Sequence, residues 1–162
     1  MSTSEPSTLP DEPSERARQL MEQVVVALGL DATIEVEESE EEITVTAEGD
    51  DLGLLIGKHG ATIDALQHLA TRVAFHGRPD RKPVVIDAAG YRERREAALQ
   101  RAADQAVGDA LRYGRPIELE PMSAQERRVV HTYLRDRSEV QTHSEGDEPD
   151  RRLVVTPVRT ER

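Results

Sequence analysis

The stretch LLIGKHGATIDALQHLATRVA, residues 54–74, joins a short apolar segment, a polar turn and an amphipathic segment. The turn is the tetrapeptide Gly57-Lys58-His59-Gly60, which has the form GxxG. Apolar residues recur after it at helical spacing, so one face of a predicted helix should lie in a core. These residues are Ile63, Leu66, Leu69, Ala70 and Val73. The turn is therefore predicted to stand at a helix N-terminus.

A turn in this position is suited to bind an anion, because the first backbone N–H groups of a helix are unpaired and the helix dipole is positive there. Lys58 adds a positive charge and His59 an imidazole. Two residues without a Cβ would also let a sugar–phosphate backbone approach closely. KH domains clamp single-stranded nucleic acids with such a GxxG loop. The alternative is a tight turn whose glycines only satisfy backbone geometry, since about one GxxG is expected by chance in a chain of this length.

The acidic charge of the chain is concentrated in its first third. The net charge of the 162 residues is −11. Residues 1–51 hold 15 acids against two arginines, a balance of −13, whereas residues 52–162 hold 17 acids against 19 bases, a balance of +2. The part from the GxxG turn onward can therefore bind phosphate locally, with an affinity that we expect to be weak and sensitive to salt.

Composition and length exclude several classes of protein. The chain has no cysteine, which excludes disulfides and thiolate metal sites. Residues 1–13 are polar and acidic, unlike a secretory signal. The longest apolar run, residues 24–30, is far shorter than the ~20 residues of a membrane span. We therefore predict a cytoplasmic protein without a membrane span.

Patterns on both sides of the turn predict a first domain. Ser14 is a predicted N-cap of a helix that ends near Leu28. Residues 33–37 and 43–48 alternate apolar and polar side chains, as in a hairpin with one buried face, and residues 84–86 form a short apolar strand. The order helix, strand, strand, short helix with GxxG, helix, strand is that of a type II KH domain. We predict this α+β domain at residues 14–88, with a three-stranded sheet and helices on one face, after a disordered acidic tail at residues 1–13.

The second half opens with a long predicted helix from Tyr91 to about Tyr113. Its inner stripe is predicted to consist of Leu99, Ala102, Ala103, Ala106 and Ala110. Its outer side is predicted to carry Arg92, Arg94, Arg95 and Arg101. This helix would begin a second α/β domain at residues 89–158, followed by a frayed end at residues 159–162.

A second motif lies on the next helix. Ser123 and Glu126 form a Ser-x-x-Glu capping box, which predicts that a helix starts at residue 124. Arg127 and His131 are four positions apart and should share a face, with Arg128 beside them. Two strands are predicted at residues 140–143 and 153–156. In isolation such a pair is more often a solvated arginine and a packed histidine than a binding site.

Together these stretches resemble a known family. The Arg-x-x-x-His helix between an arginine-rich helix and a two-strand ribbon resembles the R-three-H domain, which is associated with single-stranded nucleic acids. A KH domain followed by an R-three-H domain resembles the Jag family of bacterial RNA-binding proteins, also called SpoIIIJ-associated proteins. The resemblance rests on LLIGKHGATIDALQHLA, VVIDAAGYRERREAAL, GRPIELEPMSAQERRVVH and SEGDEPDRRLVV.

The resemblance implies a function and a set of binding residues. The expected function is that of an RNA chaperone or post-transcriptional regulator that binds single-stranded RNA, and by extension single-stranded DNA. The predicted RNA-binding residues are Ile56, Gly57, Lys58, His59, Gly60, Arg127, Arg128 and His131. The family also implies a small single-KH protein as a partner and an indirect link to a membrane insertase. Many members carry a further N-terminal domain, where this chain shows an acidic tail.

Two other functions compete with this interpretation. One is a protein–protein adaptor linked to membrane-protein insertion or to the cell envelope, which the acidic first third favours. The other is an enzyme such as a nuclease that uses His131. Catalysis would require an orienting partner or a metal, and the remaining histidines do not show the spacing of zinc ligands. We therefore predict no catalytic residues, no metal and no cofactor. Aromatic residues are scarce, so we also expect no stacking platform.

Overall fold

A computed structural model describes residues 10–158 of the chain. The chain divides into two compact units, of which one ends at Arg92 and the other begins at Glu93. Residues 1–9 of the predicted tail and the predicted frayed end at 159–162 lie outside the described residues. No helix of the described part is long and apolar enough to cross a membrane.

The first unit follows the predicted order of helices and strands. It consists of α1 (Pro13–Ala27), β1 (Ala32–Glu38), β2 (Ile43–Gly49), α2 (Gly53–Ile56), α3 (Ala61–Ala74) and β3 (Val84–Ala88). β2 is the central strand of the sheet, pairing with β1 antiparallel and with β3 parallel. The helix–strand order and the mixed three-stranded sheet confirm the predicted α+β architecture.

The core of this unit lies between its sheet and its helices. On β2 the side chains of Ile43, Val45 and Ala47 are completely buried, and those between them are half-buried, which confirms the predicted alternation. Met21 of α1 and Ile63 of α3 belong to the same apolar cluster. Burying one large apolar side chain of this kind contributes about 1.5–3 kcal/mol. The core therefore fixes the start of α3, where the GxxG turn lies.

Two expectations for the helices of this unit were wrong. Leu69 is 45% exposed, although we predicted it in the core. At about 100° per residue, Leu69 points about 120° away from Ile63, whereas Ala70 points in nearly the same direction as Ile63. Helix α1 begins at Pro13, with Glu12 rather than Ser14 as its N-cap, two residues before the predicted start. Proline is favoured at the first helical position because its N–H would be unpaired there in any case.

The second unit contains most of α4 (Tyr91–Tyr113), followed by β4 (Ile117–Glu118), α5 (Ala124–Leu134), β5 (Val140–Glu145) and β6 (Arg152–Pro157). Its strands form an antiparallel sheet in the order β4-β6-β5. The predicted capping box at the start of α5 is confirmed. The Ser123 hydroxyl accepts the Glu126 N–H at 3.2 Å, and the Glu126 carboxylate accepts the Ser123 N–H at 3.1 Å.

The buried stripe of α4 differs at one position from the predicted stripe. Its buried residues are Leu99, Ala103, Ala106, Val107 and Ala110. Ala102 is exposed, whereas Val107 packs in the core. When the helix turns about 100° per residue, Ala102 and Val107 lie about equally far from the centre of the stripe, on opposite sides of it. The alanine-rich pattern left this choice open, because small residues are tolerated on either face.

Candidate nucleic-acid interface

The GxxG turn stands at the head of α3, as predicted. Residues Lys58–Gly60 form one turn of 3-10 helix, and Gly60 is the residue immediately before α3. Three of the four residues have a positive φ, namely Gly57 (+72°), His59 (+53°) and Gly60 (+79°). Histidine is one of the few non-glycine residues found with some frequency in this conformation. The turn therefore has a fixed shape that directs its two central residues outward.

The glycines of the turn are required by the protein's own packing. A Cβ on Gly57 would lie 2.8 Å from the backbone nitrogen of Thr62, and a Cβ on Gly60 would lie 2.8 Å from Cε1 of Tyr91. We expected these glycines to make room for a sugar–phosphate backbone. The structure adds a second reason for glycine at both positions, because neighbouring groups of the same chain occupy the space that a Cβ would need.

The central residues of the turn are accessible. Lys58 and His59 are exposed, whereas Gly60 is buried. Just before the turn, Leu55 is fully buried and Ile56 is half-buried, while Leu54 is 65% exposed. The turn thus presents a positive charge, an imidazole and a neighbouring apolar side chain to solvent.

An arginine that we predicted on an outer surface holds the start of α3. Arg92 donates from Nη1 to Asp64 Oδ1 at 2.9 Å, from Nη2 to Gln67 Oε1 at 2.9 Å, and from Nε to the Ile86 carbonyl at 2.7 Å. These bonds link α3 to β3 immediately behind the turn. Because Asp64 is paired with Arg92, its carboxylate opposes the positive charge of Lys58 less than a free carboxylate would.

A similar correction applies to Arg95. Its guanidinium donates to the Glu126 carboxylate at 2.6 Å, and both side chains are largely buried, with 24% and 13% exposed. Glu126 therefore serves both the capping box of α5 and this ion pair between α4 and α5. A helical pattern predicts which side of α4 carries Arg95, but it cannot show that a second helix covers that side.

Arg127 of the predicted pair is buried, with only 7% of its surface exposed. It donates to the Met122 carbonyl at 2.6 Å, and its other terminal nitrogen lies 2.5 Å from Glu148 Oε1. A longer contact of 3.5 Å reaches the Arg151 carbonyl. Its guanidinium thus ties the start of α5 to the loop between β5 and β6.

The other two predicted residues of this helix are exposed. His131 lies with Nδ1 2.5 Å from the Thr142 hydroxyl of β5, and Arg128 has no hydrogen-bonded or ion-paired partner among the described residues. The structure therefore brings Arg127 and His131 onto one helix but gives them different surroundings. A signal for the burial of Arg127 was present, since the buried Val130 and Leu134 follow it by three and seven positions.

No group of three or more histidine, aspartate or glutamate side chains that could hold a metal ion occurs within residues 10–158. The two exposed candidate surfaces lie in different units, with the GxxG turn in the first and the α5 residues in the second. Both surfaces carry a cation, Lys58 just before the start of α3 and Arg128 in the middle of α5. Such surfaces can bind phosphate groups.

Comparison with known proteins gives two matches to family models. The KH domain of KhpA and KhpB matches residues 14–86, and the R-three-H domain matches residues 97–157. The first range contains the GxxG turn, and the second contains the Arg127–His131 helix. The order of the two domains is the order expected from the sequence.

Several curated bacterial proteins are similar to the chain over most of its length. The RNA-binding protein KhpB of Clostridium symbiosum is 37% identical over 150 residues, which are 91% of this chain and 68% of that protein. The protein of the same name from Lactiplantibacillus plantarum is 39% identical over 132 residues, 82% of this chain and 41% of the relative. That of Bacillus subtilis is 30% identical over 148 residues, 90% of this chain and 71% of the relative.

Proposed function

The chain belongs to the KhpB family, and from this membership we propose that it binds single-stranded RNA as an RNA chaperone or post-transcriptional regulator. The Jag family, which the sequence motifs resemble, is this family. The observation that carries the proposal is the exposed Lys58-His59 pair at the tip of a rigid turn before α3. A turn of fixed shape binds with little loss of conformational entropy.

In the proposed mode the turn holds the RNA backbone. Lys58 offers an ammonium group to a phosphate, while His59 and the positive end of the α3 dipole add to the local potential. The exposed side chain of Leu54, just before the turn, offers an apolar contact for a base. Phosphate contacts carry most of the affinity in this mode, so binding should weaken steeply as the salt concentration rises.

Charge reversal at the turn tests the proposal. We expect the double variant Lys58→Asp/His59→Asp to bind a short single-stranded RNA at least tenfold more weakly in a fluorescence anisotropy titration. Aspartate tolerates the positive φ of position 59 better than most residues do, so the melting temperature should stay within about 2 °C.

A matched control uses the same change of charge in the loop between α3 and β3. His76 and Arg81 are both exposed, and the variant His76→Asp/Arg81→Asp carries the same net charge as the turn variant. We expect it to lose less than threefold in affinity. Equal losses in the two variants would show that only overall charge matters, and an unchanged affinity of the turn variant would remove the turn from the mechanism.

The proposed role is binding without catalysis, in the cytoplasm. A direct check is to incubate the protein and RNA with Mg²⁺ or Mn²⁺ and to follow the length of the RNA on a gel. The RNA should stay intact, and shortened products that depend on the protein would contradict this part of the proposal.

Protein partners form a separate part of the proposal. A small single-KH protein and an indirect link to a membrane insertase are the partners that the family resemblance implies. Affinity capture after nuclease treatment distinguishes direct protein contacts from contacts through RNA. If these proteins remain bound when RNA is absent, and the turn variant retains them, the adaptor role is independent of RNA binding.

A further inference from the structure

A groove between α4 and α5 lies apart from the side of α5 that carries Arg127. Its volume is about 460 Å³, within the range of about 300–1,000 Å³ in which proteins hold small ligands. The α5 side chains that line it follow helical spacing at positions 125, 128, 129, 132 and 133. The buried side of α5 carries Arg127, Val130 and Leu134 instead. The helix thus uses one side for the core and another for the groove.

The groove contains an arginine that is unpaired within residues 10–158. Arg128 lines it, is exposed, and has no ion-paired or hydrogen-bonded partner in the described part of the chain. By contrast, Arg95, Arg127 and Arg137 each pair with a carboxylate. A guanidinium without a partner is well suited to bind a phosphate through two parallel N–H donors.

The groove also has an aromatic wall that is held in place. Tyr133 lines it, and its hydroxyl donates to the carboxylate of Asp104, with distances of 3.0 and 3.2 Å to the two oxygens. The guanidinium of Arg137 lies 5.4 Å from the ring centroid and is itself paired with Asp104. Arg137 itself does not line the groove.

Polar and apolar side chains complete the lining. Val129 provides an apolar surface, and Gln125 on α5 and Gln100 on α4 provide amide groups. Glu96 lies one turn before Gln100 and accepts a hydrogen bond from it at 3.3 Å. Amide and carboxylate groups can pair with the polar edge of a base. The combination of an unpaired guanidinium, a fixed aromatic ring and amides fits a nucleotide better than it fits a purely apolar ligand.

We propose that this groove is a binding site for one unstacked nucleotide of the RNA, with the base against Tyr133 and its phosphate at Arg128. The inference rests on the proposed function, because it adds a base-contacting site to the backbone contacts of the GxxG turn. It also assigns a role to an aromatic residue, although the scarcity of aromatic residues argued against stacking platforms. Stacking is tolerant of sequence, so this site would bind any of the four bases.

The test uses the full chain labelled with ¹⁵N, titrated with nucleoside 5′-monophosphates and with a short single-stranded RNA. We expect both ligands to shift amides between residues 96 and 100 and between residues 125 and 133, and the RNA to shift the amides of residues 57–60 as well. Inorganic phosphate at the same concentration should shift only the amides around Arg128. Shifts that map elsewhere, or equal shifts with phosphate and with nucleotides, would overturn the assignment.

Variants separate the aromatic and charged contributions. Tyr133→Leu should weaken RNA binding at least fivefold, because one stacked base is lost, whereas Tyr133→Phe should stay within twofold of the native protein. Arg128→Gln should weaken binding by a similar factor. The matched control Arg101→Gln removes an exposed arginine of α4 that does not line the groove, and it should leave the affinity unchanged.

The outcomes distinguish this inference from the proposed function. If the turn variant loses RNA while the Tyr133 and Arg128 variants bind like the native protein, the groove is not a nucleotide site and the proposed function stands. If the native protein binds neither RNA nor nucleotides, both fall. Equal losses in Tyr133→Phe and Tyr133→Leu would also overturn the inference, since the ring would then not be the contact.

Discussion

Replacing Arg127 by methionine tests whether this residue supports the fold or binds RNA. Methionine retains a long apolar side chain of similar reach, so the change removes the guanidinium and leaves little cavity. In the structure the guanidinium is buried and donates at 2.6 Å to the Met122 carbonyl and at 2.5 Å to Glu148. We therefore expect the variant to destabilise the second unit and to leave the proposed RNA-binding surfaces in place.

The expected magnitude follows from the two partners. Hydrogen bonds from charged donors contribute about 1.5–3 kcal/mol when one partner is removed, and this range applies to the bond with the Met122 carbonyl. The Glu148 side chain is 57% exposed, so water can replace the arginine there and the ion pair contributes less than about 1 kcal/mol. The total is about 1.5–4 kcal/mol. For a unit of this size it lowers the melting temperature by roughly 6–30 °C.

The assay must report on the second unit separately. Thermal melting by circular dichroism gives the overall effect, and hydrogen exchange of peptides that cover residues 124–134 and 140–157 locates it. Glu148→Gln serves as the control and should cost less than about 1 kcal/mol. RNA affinity, measured at a temperature where the variant is folded, should stay within threefold of the native value. A variant with native melting behaviour and a large loss of RNA affinity would refute this reasoning.

Three further predictions concern stability. Gly60→Ala places a Cβ against an aromatic ring at a position with positive φ. It should lower the free energy of unfolding by about 2–4 kcal/mol in urea denaturation. The control Gly77→Ala also has a positive φ but has open space around it, so it should lower the free energy of unfolding by only about 1–2 kcal/mol. Ser123→Ala should lower the free energy of unfolding by about 1 kcal/mol, because the cap of α5 is lost. Unchanged hydrogen exchange in residues 124–128 would contradict this prediction. The hydrogen bond and ion pair with Lys82, 2.7 Å away, lower the pKa of Glu38 below its ordinary 4.5. The pair therefore stabilises the folded protein above pH 4.5, and this stabilisation is lost as the pH falls further. Glu38→Gln should therefore melt below the native protein at pH 7 and equally with it near pH 3, and a constant difference across this range would contradict the assignment.

The backbone elements were predictable from the sequence because they rest on local signals. The alternation on β2, the Ser123 capping box and the GxxG turn before an apolar helical stripe each lie within a few residues. The structure confirms all three. Single helix positions were less predictable, as Leu69 and Ala102 show, because a helical stripe has margins where small shifts in direction decide burial.

The surroundings of the long arginine side chains were not predictable from local patterns. Arg92 lies on the predicted outer side of α4, yet it reaches Asp64 and Gln67 on α3. Its partners are distant in sequence, and nothing in the neighbourhood of Arg92 indicates them. Arg127 is different, because its spacing from buried residues of α5 was visible. We predicted a surface role for Arg127 from the motif, although this spacing indicated that the side chain is buried.

The parallel pairing of β3 with β2 has a consequence for how the first unit forms. Ile43 on β2 pairs with Val84 on β3, so the three-stranded sheet can form only after α2, the turn and α3 have been synthesised. Closing so long a loop is slow, since chain entropy opposes it until the strands meet. During synthesis the turn therefore leaves the ribosome before β3, the strand that completes the sheet. Arg92, whose side chain hydrogen-bonds to α3, emerges later still. The growing chain therefore acquires a fully supported GxxG turn only at the end of this unit's synthesis.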